Sequence, residues 1–155
     1  MIAVCAWISI PFGYIAFTMQ TFAVMLALVT LGGKWGTVAI CVYLLLGGVG
    51  LPVFSGFQGG FGVLLGVTGG YLWGFVATGL IYWGFEKLCK PIGMILGLLG
   101  CYGLGSVWFC VYSGGGSFFA AVATCVAPYV IPDLGKLYLA WICGKRIREN
   151  LARNA

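Results

Sequence analysis

Histidine is absent from this chain of 155 residues, and acidic side chains are nearly so: 3 Asp or Glu stand against 8 Lys or Arg. With no imidazole and so few carboxylates there is little to serve as a general acid or base, and an enzyme is not expected. The same lack, together with the absence of any C-x-x-C among the seven cysteines, argues against zinc. Cys5, Cys41, Cys89, Cys101, Cys110, Cys125 and Cys143 lie mostly in apolar runs and read as small buried hydrophobes, not as a disulfide framework. No G-x-x-x-x-G-K-S/T occurs, so any ATP-dependent step needs another subunit. The G-x-G at Gly60 and Gly62 has no acidic residue suitably downstream and is no dinucleotide fingerprint. The first ten residues lack a positive n-region, and no cleavable signal peptide is expected.

What remains is overwhelmingly apolar: 62% hydrophobic, 7% charged, mean hydropathy +1.09. A soluble domain carries about 25% charged residues. A chain this poor in charge cannot cover itself with polar groups in water, so its solvent is lipid. The length suits one integral membrane domain, residues 1–155. The net charge of +5 does not indicate nucleic acid, because the basic residues form no stripe interleaved with aromatics.

Apolar runs separated by Gly, Pro and charge predict an all-α bundle of six transmembrane helices: 1–10, 19–31, 35–49, 68–85, 91–112 and 132–148, with a shorter helix over 117–130. The first run is shorter than the roughly 20 residues a span needs and reads as truncated. Lys34 follows the second run, Glu86, Lys87 and Lys90 the fourth, and Lys145, Arg146, Arg148 and Arg153 the last. Six spans put all of these on one side, which the positive-inside rule makes the cytoplasm, with both termini there. The connections 11–18, 50–67 and 113–117 face outward and hold no Lys or Arg.

Asp133 and Lys136 break this pattern. They lie just after Pro132, within the apolar part of the last run, three residues apart and therefore on one helix face. An ionisable residue in a bilayer costs about 2.5–3.5 kcal/mol on insertion scales, so the pair predicts a site for a small polar ligand. A plain alternative is that Asp133 caps the helix start. That leaves Lys136 unexplained, because a cation is unfavourable in a first turn.

The outward stretch 50–70, GLPVFSGFQGGFGVLLGVTGG, is too apolar for an ordinary solvated loop. Phe54, Phe57 and Phe61 offer rings to bury, and Gln58 offers an amide that both donates and accepts. It reads as a lid over the outer mouth of the bundle, or else as a loop resting among lipid headgroups. Thr18 and Gln20 are polar groups in apolar surroundings that either line the same cavity or cap the second helix. Gly93-x-x-x-Gly97 and Gly100-x-x-Gly103 suit close helix contact.

Four stretches taken together, ISIPFGYIAFTMQT, LLLGGVGLPVFSG, GVLLGVTGGYLWGF and PYVIPDLGKLYLA, resemble the BioY family, the biotin-binding S components of energy-coupling-factor (ECF) transporters. The resemblance covers most of the chain. It implies a six-helix S-component fold in the cell membrane, capture of biotin from outside, and docking on a transmembrane scaffold subunit driven by two ATPase subunits. It places the family's aspartate and lysine on Asp133 and Lys136, its polar loop position on Gln58 and its aromatic after the double glycine on Tyr71. With Gln20, Phe54 and Phe57 these are the expected ligand-binding residues. The sequence departs from the family pattern at Val67, Pro132 and Gly135. An S component for another vitamin, thiamin or riboflavin, and a purely structural bundle are the competing readings.

Overall fold

The computed structural model describes residues 1–10, 16–114 and 118–153. Eight α-helices occur among them: α1 (Ile2–Trp7), α2 (Gln20–Leu31), α3 (Gly33–Gly48), α4 (Phe61–Leu65), α5 (Gly69–Phe85), α6 (Lys90–Tyr112), α7 (Phe118–Cys125) and α8 (Ala127–Arg153). A two-residue antiparallel pairing of β1 (Ser9–Ile10) with β2 (Phe17–Thr18) joins α1 to α2. The helix predictions match α2, α3, α5 and α6 to within one or two residues.

A helix that is apolar all round belongs in the interior. In α2 every residue from Ala23 to Val29 is buried, and the helix is enclosed by α1, α3, α5 and α8. The outside of the bundle is apolar in turn, with Trp35, Leu45, Leu80, Leu99 and Val107 exposed. Among the described residues, α6 is the one helix both long and apolar enough to cross a membrane by length and composition. Pro91 stands in its first turn, where the missing N–H costs nothing. Helices α5 and α6 approach closely: a Cβ on Gly97 would lie 2.9 Å from Thr78 Cγ2, and Thr78 Oγ1 donates to the Gly97 carbonyl at 2.8 Å. Gly103 meets nothing, so only part of the small-residue spacing serves packing.

Two sequence expectations change here. The last helix does not start near Pro132 but at Ala127, and Pro132 is inside it. A proline forfeits one backbone bond and crowds the carbonyl four residues back. That carbonyl belongs to Pro128, in the first turn of α8, where Val130 N–H bonds Val126 O at 3.2 Å and holds the helix. Lys136 is consequently well inside the helix, and neither the capping role for Asp133 nor the first-turn penalty for Lys136 applies. The second change is in the 50–70 stretch. It forms a 3-10 turn at Ser55–Phe57 followed by α4, and only Phe54 of its three phenylalanines is buried. Phe57 and Phe61 are 64% and 69% exposed.

Candidate functional site

Asp133 and Lys136 come off one face of α8 and are both buried. Lys136 Nζ lies 2.7 Å from Asp133 Oδ1. It also donates to the Thr18 carbonyl at 2.6 Å and lies 3.7 Å from the centre of the Phe17 ring. An ammonium has three N–H donors. Here two oxygens and an aromatic face surround it, so β2 is fastened over the cation. The second oxygen of Asp133 accepts from Tyr102 of α6 at 2.6 Å. Both carboxylate oxygens are therefore held from opposite sides, one by a cation and one by a phenol.

A second polar chain runs from α2 through α3 to the loop. Gln20 Nε2 donates to Tyr43 Oη at 2.9 Å, and Tyr43 Oη donates to the Val53 carbonyl at 3.0 Å. A carbonyl can only accept, so the tyrosine proton points at Val53 and its lone pairs take the glutamine N–H. Phe54, next in the chain, packs edge-on against Tyr43 with ring centroids 5.5 Å apart. Its ring fills the space where a Cβ on Gly47 would stand, so that glycine allows the loop to seat.

These groups surround a cavity of about 500 Å³. That is the size range of small-molecule pockets, roughly 300–1,000 Å³. Asp133, Lys136, Gln20, Thr18, Tyr71 and Phe54 all line it, and Gln58 stands at its exposed rim. The hydroxyl of Tyr71 is buried and makes no hydrogen bond among the described residues. Phe57 is not part of the lining. Left-handed backbone at Gly56 (φ 68°) and at Phe57 itself (φ 58°) turns its ring outward, where it stacks on Trp7 with centroids 5.0 Å apart. Trp7 Nε1 also donates to the Pro52 carbonyl at 2.9 Å, which fastens α1 to the loop.

Phe17, Tyr43 and Tyr102, which hold the polar groups of the site, were not singled out in the sequence. A signal for Tyr43 and Tyr102 existed. Each is a phenol within an apolar helical run, and a buried tyrosine hydroxyl needs a partner. Remote from the cavity, Glu86 at the end of α5 accepts the Gly33 N–H at 2.7 Å, at the start of α3, and faces Arg148 of α8 at 3.8 Å.

An apolar helical bundle enclosing a ligand-sized chamber with a buried ion pair defines the chain as a membrane protein of the small-molecule-binding class. The model of the BioY family matches residues 1–153, and the chain belongs to that family. A Thermotoga maritima protein named biotin transporter BioY is 38% identical over 153 residues, covering 96% of this chain and 90% of the relative. The Pyrococcus horikoshii protein named probable biotin transporter BioY is 38% identical over 149 residues, with the same coverage of each. Among solved structures, the S-component for biotin from an ECF-type ABC transporter superimposes with a TM-score of 0.85 at 25% identity, covering 96% of this chain and 85% of the other.

Proposed function

We propose that this chain takes up biotin, as the membrane-embedded substrate-binding component of an ECF-type transporter. It is a transport protein and not an enzyme. The observation that carries the reading is the buried Asp133–Lys136 pair facing a ligand-sized cavity in a member of the BioY family.

The chemistry of the pair suits the ligand. Biotin has a cyclic urea, whose adjacent N–H and C=O form a donor–acceptor edge, and a valeryl tail ending in a carboxylate. Asp133 supplies acceptor positions and Lys136, bonded to it at 2.7 Å, supplies N–H donors that a urea carbonyl would share, so the pair has the polarity that edge needs. The urea is the end assigned to the pair, because it can use an acceptor and a donor together, whereas a carboxylate tail meets attraction from Lys136 and repulsion from Asp133 side by side. Charge-assisted bonds in a dry cavity are stronger than neutral ones. Gln20 and Gln58 supply further polar contacts, while Tyr71 and Phe54 cover the apolar rings and methylenes.

In this reading six helices span the membrane, both termini are cytoplasmic, and the loop at 50–60 is the outward lid. A transmembrane scaffold subunit and two ATPase subunits complete the transporter. The one-sided clustering of Lys and Arg supports that topology.

The test is binding of radiolabelled biotin to the purified chain, with thiamin and riboflavin as competitors. Asp133→Asn and Lys136→Ala should each weaken binding at least tenfold, and neither competitor should displace the label. Undiminished binding in both variants would remove the proposed site.

A further inference from the structure

We infer that Tyr102 is a positioning residue for the ligand: it holds the Asp133 carboxylate in the one orientation that, beside Lys136, receives a urea edge. The inference rests on the biotin reading of the site and extends it to a residue on a different helix.

The argument starts from the carboxylate. Free rotation of an aspartate side chain presents its two oxygens in many directions, and a ligand that needs one of them must first stop that rotation. Here Oδ1 is held by Lys136, three residues along the same helix, at 2.7 Å. Through its bond to the Thr18 carbonyl at 2.6 Å, Lys136 ties that oxygen to β2 on one side of the cavity. Tyr102 comes from α6 and reaches Oδ2 at 2.6 Å, a short bond for a phenol donating to a charged oxygen. It is the contact that ties the second oxygen to a neighbouring helix, so that the carboxylate is held at both oxygens and cannot turn.

The polarity of the bond is fixed as well. A carboxylate with an ammonium at 2.7 Å is an acceptor only, so the proton between Tyr102 and Asp133 is the tyrosine's. Tyr102 lines the cavity, and with its proton committed to Asp133 its oxygen keeps lone pairs alone. A carboxylate has about four acceptor positions, and two of them are taken by Lys136 and Tyr102. The remaining positions are the ones left for a ligand N–H. Removing the hydroxyl frees the carboxylate to swing and leaves Oδ2 buried without its donor.

The chain contains one aspartate, so aspartate labelled with carbon-13 in its side-chain carboxyl reports on Asp133 alone. In the full-length wild-type protein without ligand, the infrared spectrum should show an ionised, hydrogen-bonded carboxylate whose band shifts when biotin is added. In Tyr102→Phe the ligand-free band should already be displaced. Biotin and its methyl ester should both bind about tenfold more weakly to the variant, because the loss belongs to the urea end and not to the tail. Unchanged affinity overturns the inference, as does a loss confined to the free acid. A loss of affinity with an unmoved carboxylate band also overturns it, since that is the signature of altered packing only. Should Tyr102→Phe fail to fold, the wild-type spectrum still decides: a protonated carboxyl in place of a carboxylate reverses the polarity argued above and overturns the inference. Failure of the wild-type chain to bind biotin would instead defeat the functional reading.

Discussion

A buried ion pair is poor evidence for stability, because desolvating two charges consumes most of their attraction. Asp133 and Lys136 fit that description, and their retention in the interior argues for binding. Stability and binding should therefore separate on substitution. Lys136→Met alone leaves a buried, uncompensated carboxylate and should cost about 3–5 kcal/mol. The double variant Asp133→Leu, Lys136→Met should recover most of that loss while binding no biotin. Unfolding midpoints of the three proteins in one detergent check this. A double variant as unstable as the single one would mean that the pair holds the fold together. Gln20 and Tyr43 illustrate a different case. Their bonds to each other and to Val53 satisfy buried polar atoms, and the same bonds fix which atom of the Gln20 amide can face a guest.

Among the elements, the loop between α3 and α4 has one buried aromatic anchor, Phe54. Phe54 occupies the space beside Gly47, and the Gly60 N–H bonds the Gly47 carbonyl at 2.6 Å from the other end of the loop. Gly47→Ala puts a methyl group where the ring lies, so the loop must lift. The expected result is a biotin dissociation rate raised about tenfold with a smaller change in the unfolding midpoint, measured by chase with unlabelled biotin. An unchanged rate would show that the loop does not retain the ligand. The periodic, strongly apolar helices were legible in the sequence because their lengths and flanking glycines and charges mark them. Asp133, Lys136 and Gln20 were legible as cavity-lining groups because polar atoms in apolar runs need partners. The start of α8 was not, since Pro132 looks like a boundary and only the preceding turn shows that it is not one. Nor was the division of labour among Phe54, Phe57 and Phe61. Ring direction there is set by positive φ at Gly56 and Phe57, and nothing in a spacing of three and four residues reports it.

For the whole molecule, charge placement makes the strongest statement. Of the eight basic residues, only Lys136 lies away from the end that carries Lys34, Lys87, Lys90 and the tail of α8. A protease-cleavable tag placed at either terminus should accordingly be cut in inside-out vesicles and protected in right-side-out ones. Opposite behaviour of the two tags would require an odd number of crossings. That basic end is also where α3, α5 and α8 are tied together by Glu86, which meets the Gly33 N–H and Arg148. Helix α8 runs without interruption from Ala127 to Arg153 and so joins the two regions. At 1.5 Å per residue, Asp133 and Arg148 are about 22 Å apart along one rod. One continuous helix thus carries both the group that faces the chamber, Asp133, and the arginine that meets Glu86 at 3.8 Å.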